Sequence, residues 1–152
     1  MKKLLFTLIV LWSITVFSQK QNKRLSHFNL EKNLAIQGYD PVAYFKQGKA
    51  TKGTRAISAS YEGVVYYFSN SVKKEAFINN PSKYEPQYGG WCAYAMGESN
   101  DRVAINPETF KISNGKLYLF YNAFFNNTLK SWNKAGLKLM QNADANWIKM
   151  YK

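Results

Sequence analysis

Residues 56–68 have the sequence AISASYEGVVYYF, and this stretch decides the fold class. Residues 56–61 alternate apolar and polar side chains, whereas residues 64–68 are all β-branched or aromatic. Glu62 and Gly63 lie between the two runs. Two such runs joined by a tight turn are typical of an antiparallel β-hairpin. We therefore expect a sheet built around this stretch.

A second hairpin is predicted further along the chain. Residues 109–112 and 116–121 flank Ser113-Asn114-Gly115, and Asn-Gly is the preferred centre of a type I′ turn. Helices are expected over Pro41–Gln47, with Asp40 as the cap, over Ser71–Asn79, from Asn122 to about Trp132, and over Lys134–Asn142, with a short helix ending at Tyr151. The fold class predicted is α+β: a small single domain with two antiparallel hairpins forming a sheet, flanking short helices and a C-terminal helical segment.

The N-terminus predicts export. Lys2 and Lys3 precede an apolar run over residues 4–17, which is short for a membrane span of roughly 20 residues. This order is typical of a signal peptide, with cleavage expected after Ser18. We expect residues 1–18 to be the signal peptide, residues 19–33 a flexible polar lead and residues 34–152 the domain. The predicted location is periplasmic or secreted.

Charge and cysteine content narrow the classes of partner. The formal net charge is +12 and falls to +10 when Lys2 and Lys3 are removed. The basic residues are scattered without an arginine cluster, so a nucleic acid partner is not expected. Such a charge suits loose contact with an anionic membrane or envelope surface. The alternative is that the charge only keeps the protein soluble. One cysteine cannot form an internal disulfide, and we expect a monomer held by its core.

Enzymatic chemistry is not favoured by the residue inventory. His27 is the only histidine and falls in the polar lead, away from any candidate nucleophile. The carboxylates form no paired motif, and no phosphate-binding glycine loop is present in the sequence. A non-catalytic binding protein is the preferred interpretation.

Residues 84–96, with the sequence YEPQYGGWCAYAM, are the predicted centre of function. They contain the only cysteine, Cys92, and a helix would place Met96 on the same face. This pair offers soft ligands for copper(I). Two alternatives remain open: Cys92 is a small buried core residue, or it is a redox-active thiol, which would need nearby positive charge to lower its pKa.

The tyrosines are numerous enough to line a cleft with polar ends. The alternative is that the tyrosines pack at the edges of the sheet. The candidate ligand-binding residues are Tyr39, Asp40, Tyr88, Gly89, Gly90, Trp91 and Tyr94, and the candidate metal ligands are Cys92 and Met96.

Four segments together resemble the YHS-domain family in its exported bacterial branch. They are GYDPVAYF at 38–45, Tyr61-Glu62-Gly63 with Tyr66, Phe68 and Ser69, PQYGGWCAY at 86–94, and GKLYL at 115–119 with ADANW at 143–147. The resemblance spans about residues 34–148. The stretch matching the family's Tyr-His-Ser motif is Tyr67-Phe68-Ser69, so the histidine is absent.

The resemblance implies a metal role in relatives that carry extra cysteines and are fused to copper-transporting pumps; this chain lacks those cysteines. Some exported relatives are labelled as possible selenoproteins, which implies redox use of sulfur or selenium. The leading hypothesis is an exported binding module for a small ligand or a soft metal ion, with copper as the candidate cofactor. The alternatives are a thiol redox protein using Cys92 and a basic envelope-associated interaction module.

Overall fold

The computed structural model describes residue 19 and residues 21–151 of the chain; the predicted signal peptide, residues 1–18, lies outside the described residues. The helices are α1 (residues 21–27), α2 (Pro41–Gln47), α3 (Ser71–Asn79), α4 (Pro81–Tyr84), α5 (Ala93–Glu98) and α6 (Thr128–Tyr151). The strands are β1 (Leu30–Glu31), β2 (Leu34–Ala35), β3 (Thr54–Tyr61), β4 (Val64–Phe68), β5 (Asn106–Ser113), β6 (Lys116–Phe120), β7 (Asn122–Ala123) and β8 (Asn126–Asn127).

The first predicted hairpin is confirmed as β3 and β4. Its turn uses positive φ at Glu62 (47°) and Gly63 (86°), and Tyr61 pairs with Val64 directly beside the turn. The sheet has the order β1-β2-β4-β3, with β2 parallel to β4 and the other neighbours antiparallel. Alternate residues of β4 are buried, so one face of this sheet packs on the core and the other lies outward.

The second predicted hairpin is confirmed as β5 and β6, which form a separate two-stranded sheet. The two hairpins therefore do not share one sheet. Single bridges instead join β6 to the cysteine-containing segment: Pro86 pairs with Leu117 and Cys92 with Leu119, both in parallel. This segment follows the edge of β6, which explains why all of residues 117–120 are buried.

The segment after β6 differs from the prediction. Residues 122–127 form the short hairpin β7–β8 rather than the start of a helix. Helix α6 begins at Thr128 and is interrupted at Gly136, where φ is 68° and ψ is −155°. Glycine tolerates this conformation because it has no Cβ, and the helix resumes in a new direction.

Helices α2 and α3 have the predicted bounds and caps. Asp40 Oδ1 accepts hydrogen bonds from the amides of Val42 (3.0 Å) and Ala43 (3.3 Å). Asn70 Oδ1 accepts one from the Lys73 amide at 3.0 Å. Each cap satisfies donors that a helix N-terminus leaves without intrahelical partners.

The flexible lead predicted for residues 19–33 needs correction, because most of it is structured. Residues 21–27 are helical, and β1 and β2 pair as a small hairpin. Arg24 of α1 is only 6% exposed and forms ion pairs with Glu62 and Glu85. Polar composition suggested solvent exposure, but Arg24 in this segment meets opposite charges on the domain.

The core has two clusters of buried residues. The first joins the sheet, α2 and α3 to β6 and includes Val42, Tyr44, Val64, Tyr66, Phe68, Phe77, Cys92, Leu117 and Leu119. The second lies under α6 and includes Tyr88, Ala93, Met96, Tyr118, Phe120, Trp132, Leu139 and Ala143. Helix α6 is amphipathic, and within the described residues no helix has the length and apolarity needed to cross a membrane.

Candidate functional site

The cysteine-containing segment passes between the two core clusters. Residues Gln87–Gly90 form a 3-10 turn with positive φ at Tyr88 (56°), Gly89 (59°) and Gly90 (86°). Cys92 then caps α5, and its amide donates to the Val103 carbonyl at 3.0 Å. The segment thus arrives beside β6 and turns directly into a helix.

The Cys92 thiol is fully buried and has its hydrogen-bonding capacity used. Its Sγ accepts a hydrogen bond from the Tyr121 amide at 3.3 Å and lies 3.4 Å from the Thr128 hydroxyl. That hydroxyl donates to the Tyr121 carbonyl at 2.9 Å, so it is left to accept from the thiol. The sulfur therefore acts as a connector between α5, the end of β6 and the start of α6.

A copper site at Cys92 and Met96 does not fit this geometry. The two residues are one helical turn apart as predicted, yet Cys92 packs in the first core cluster and Met96 in the second. Both are fully buried, and a metal-bound thiolate would lose the contacts that the thiol makes. Among the described residues there is no group of three or more His, Cys, Asp or Glu side chains that could hold a metal ion.

A cleft of about 330 Å³ opens above Cys92. Cys92, Ala95 and Thr128 are buried in its floor, whereas Glu98, Ser99 and Asn126 are exposed at its rim. Its wall is completed by Tyr94, Val103 and Tyr121. The cleft therefore combines an apolar and hydroxyl-bearing floor with one carboxylate at its edge.

The glycine pair serves the fold. A Cβ on Gly89 would lie 2.7 Å from the Phe28 ring and 2.9 Å from that of Trp147. The Gly89 carbonyl accepts from the Asn29 amide at 2.9 Å, and the Gly90 carbonyl accepts from the Asn29 side chain at 3.1 Å. The backbone carbonyls of these two residues therefore bind Asn29, in the segment after α1 of the same chain, and the predicted ligand-binding role of the pair stays a prediction.

Trp91 and Tyr88 also use their polar atoms within the chain. Trp91 Nε1 donates to the His27 carbonyl at 2.6 Å, and the Tyr88 hydroxyl donates to Asp144 at 2.9 Å. Burial, together with the hydrogen bond to Asp144, raises the pKa of Tyr88 well above its ordinary value. Tyr88 and Gly89 do line a cavity of about 220 Å³ with Arg24, Glu85 and Trp147.

Tyr39 and Asp40 lie in a different part of the fold. Asp40 is fully buried, and its Oδ2 accepts from the Ser69 amide (2.9 Å) and hydroxyl (2.8 Å) while lying 3.8 Å from Lys73 Nζ. The Tyr39 hydroxyl donates to Glu108 at 3.3 Å, and Lys52 lies over its ring at 4.3 Å. Asp40 is thus a structural cap, and the predicted ligand residues divide among three places instead of one pocket. Only Tyr94 lines the cleft above Cys92.

A larger depression of about 610 Å³ lies on the outer face of the four-stranded sheet. It is lined by Glu31, Lys32, Leu34, Arg55, Ser58, Val65 and Tyr67, all of which are exposed or half-buried. Tyr67 belongs to the stretch that matches the Tyr-His-Ser motif. None of these lining residues is buried, whereas the cleft above Cys92 has a buried floor.

Sequence reasoning did not identify Tyr121 and Thr128 as partners of Cys92. Both flank the β7–β8 hairpin, which the sequence predicted to be helical. The signal that was available is Asn126-Asn127-Thr128, since Asn and Thr are preferred at helix caps and therefore favour a helix start after residue 127.

Comparison with known proteins gives no match: no family model, no curated protein and no solved structure matches the chain. The resemblance to the YHS-domain family therefore stays a prediction from the residues.

Proposed function

We propose that the chain is an exported, non-catalytic binding module of the YHS-like type, and that it takes a small polar molecule in the cleft above Cys92. The observation that carries the proposal is the cleft's construction on a buried floor whose polar atoms are fixed by hydrogen bonds. Its volume of about 330 Å³ falls at the lower end of small-molecule sites. Positioned polar groups on an apolar floor are what such sites use to orient a ligand.

The lining indicates the chemistry of the ligand. Glu98 is the charged residue of the cleft, and the polar groups besides the internally bonded Cys92 thiol are hydroxyls and the Asn126 amide. A carboxylate at the rim favours a cationic or neutral ligand and disfavours an anion. Small amines and polyols are therefore the class that we propose.

The rival uses of Cys92 have less support. A redox thiol has to reach its oxidant, but Cys92 is 0% exposed and hydrogen-bonded within the chain. Copper would require both sulfur atoms to leave their clusters. A copper(I) titration followed by native mass spectrometry checks this directly: a one-to-one adduct that is lost in Cys92→Ser and weakened in Met96→Leu would replace the small-molecule proposal with a metal-handling one.

The test is an NMR titration of the ¹⁵N-labelled protein, expressed as the full chain, with ethanolamine and with glycerol. The chemical shifts of the backbone amides are followed. We expect amide shifts to cluster at residues 95–99, 103 and 126–128. Glu98→Gln should weaken ethanolamine binding and leave glycerol binding nearly unchanged. Glu75→Gln, the same change at an exposed position of α3, is the matched control. Shifts elsewhere, or none with either probe at millimolar concentration, would refute the proposal.

A further inference from the structure

Two phenylalanines occupy the tip of the β7–β8 hairpin and point into solvent. Phe124 is 90% exposed and Phe125 112% exposed, the highest values among the large apolar residues that the structure describes. Both have positive φ, 49° and 64°, as the two central residues of a type I′ turn must. Bulky residues adopt this conformation rarely and at a cost. The turn therefore carries strain and exposes two aromatic rings together.

The same chain shows what such a turn ordinarily contains. The β5–β6 hairpin places Asn114 and Gly115 at the equivalent positions, with φ of 50° and 70°. Asn and Gly tolerate positive φ with little strain. The β7–β8 turn has closely similar φ angles with Phe-Phe in place of Asn-Gly, although two asparagines follow immediately in β8.

The base of this hairpin is held firmly. The Thr128 amide and hydroxyl both donate to the Tyr121 carbonyl, at 3.1 and 2.9 Å. The Asn122 side chain donates to the Thr109 hydroxyl at 3.0 Å, which ties β7 to β5. The two rings are thus presented on a fixed support, and partner surfaces bind such preorganised groups at lower entropic cost.

The chain around the tip is basic. Between Glu108 and Asp144 the sequence contains five lysines and neither Asp nor Glu. Lys130 and Lys134 are exposed one helical turn apart in the first part of α6, directly after the hairpin, and Lys138 is exposed beyond Gly136. Glu98, which lines the cleft together with Asn126, is an acidic residue near the hairpin. Exposed aromatic rings flanked by lysines are the combination that binds anionic bilayer surfaces.

We propose that the Phe124–Phe125 tip docks the protein on an anionic lipid surface, with both rings inserted at the headgroup level and Lys130 and Lys134 facing the lipid phosphates. This surface is independent of the ligand proposed for the cleft. Insertion would bury the rings, while the lysines would supply an attraction that salt screens.

The test is flotation of the protein with vesicles of equal parts phosphatidylcholine and phosphatidylglycerol, and with vesicles of phosphatidylcholine alone. We expect binding to the anionic vesicles at about 0.02 M salt and its loss at about 0.5 M salt. The double substitution Phe124→Asn/Phe125→Gly copies the β5–β6 turn, so it should raise the melting temperature while lowering vesicle affinity at least about tenfold. A loss of binding by this variant therefore cannot be attributed to unfolding.

One pair of lysine substitutions at the proposed surface and one control pair elsewhere locate the binding surface. Lys130→Gln/Lys134→Gln should lower affinity by about fivefold for each lysine, whereas Lys46→Gln/Lys49→Gln, at exposed positions near the end of α2, should change it little. Val72→Ser removes another exposed apolar side chain, 78% exposed on α3, and should leave binding intact. Unchanged binding by the Asn-Gly variant would overturn the proposal. Absence of vesicle binding at low salt would also overturn it. This includes the outcome in which the Phe124–Phe125 tip mediates self-association instead and the Asn-Gly variant abolishes that self-association.

Discussion

The hydroxyl of Tyr66 donates a 2.5 Å hydrogen bond to Oε1 of Glu85, the same oxygen that accepts from the Arg24 guanidinium. Tyr66 comes from the centre of β4, Glu85 from the segment before the glycine pair and Arg24 from α1. One carboxylate thereby joins three parts of the chain inside the core.

Removing single members of this group should have unequal costs. We expect Tyr66→Phe to lower the free energy of unfolding by about 1.5–3 kcal/mol, because a hydrogen bond to a charged group is lost. Arg24→Met should cost about 3–5 kcal/mol, since it removes the cation that pairs with Glu62 and Glu85 in a largely buried setting. Urea unfolding measures both, with Arg55→Met on the exposed sheet face as the control. A cost for Arg24→Met below that of Tyr66→Phe would contradict the docking of α1.

Alkaline pH should destabilise the protein. Burial raises the pKa of Tyr66 and of Tyr44 in the folded state, and for Tyr66 the Glu85 carboxylate adds to the effect. Below about pH 10, the unfolded-state pKa of tyrosine, both states keep the phenolic protons and stability is at its full value. Above it the unfolded chain ionises first, so the free energy of unfolding falls by about 1.4 kcal/mol per pH unit for each such tyrosine.

Urea midpoints between about pH 8 and about pH 11.5 test this behaviour. Above about pH 10, Tyr66→Phe should make the free energy of unfolding fall less steeply with pH, by the contribution of one tyrosine, which is about 1.4 kcal/mol per pH unit. Tyrosinate absorbance should appear together with loss of structure instead of before it. An early absorbance rise in the folded protein, equal to that of all the tyrosines, would show that these rings are accessible.

Gly89→Ala and Gly48→Ala form a matched pair. Both glycines have φ near +60°, but a Cβ at Gly48 would meet no atom within 4 Å, whereas at Gly89 it would collide with Phe28 and Trp147. We expect about 1–2 kcal/mol of destabilisation at Gly48 from the backbone conformation alone. At Gly89 overpacking should add about 1–3 kcal/mol. Thermal unfolding compares the two, and equal costs would mean that the contact of Phe28 with the glycine turn is loose.

Asp40→Asn tests the buried cap of α2. An amide has one oxygen where the carboxylate has two, so its nitrogen would face the Ser69 amide and hydroxyl or the N-terminus of α2, all of which donate. The change also removes the negative charge beside Lys73. We expect a loss of about 2–4 kcal/mol in chemical denaturation. Asn70→Ala, which removes the cap of α3, should cost only about 1 kcal/mol.

The sequence predicted the elements whose signals are local. The hairpins around Glu62-Gly63 and Asn114-Gly115 and the helices after Asp40 and Asn70 depend on turn and cap chemistry within a few residues, and they have the expected positions. The α1 helix was missed because Arg24 is stabilised by Glu62 and Glu85, which are distant in sequence. The β7–β8 hairpin was missed because Phe124 and Phe125 are unfavourable turn residues.

The candidate site was predicted only in part, because local sequence signals do not report contacts between distant segments. Cys92 was recognised as the centre, and its neighbour Tyr94 lines the cleft. The partition of Cys92 and Met96 between two core clusters depends on how β6 and α6 pack, which no local pattern reports. Likewise, the glycine pair signalled a close approach correctly, but the approaching group was Phe28 of the same chain.

The contacts of Tyr151 connect the two ends of the described chain. Its ring packs on Trp147 and against His27 and Phe28, beside the Asn29 contacts to the glycine turn. During synthesis the segment around His27 emerges before its aromatic partners Trp147 and Tyr151, which lie far later in the chain. This part of the core cannot form until both segments have been synthesised, and a chain shortened before Trp147 would leave Phe28 without its cover. Closure of this part of the fold therefore requires both segments at once.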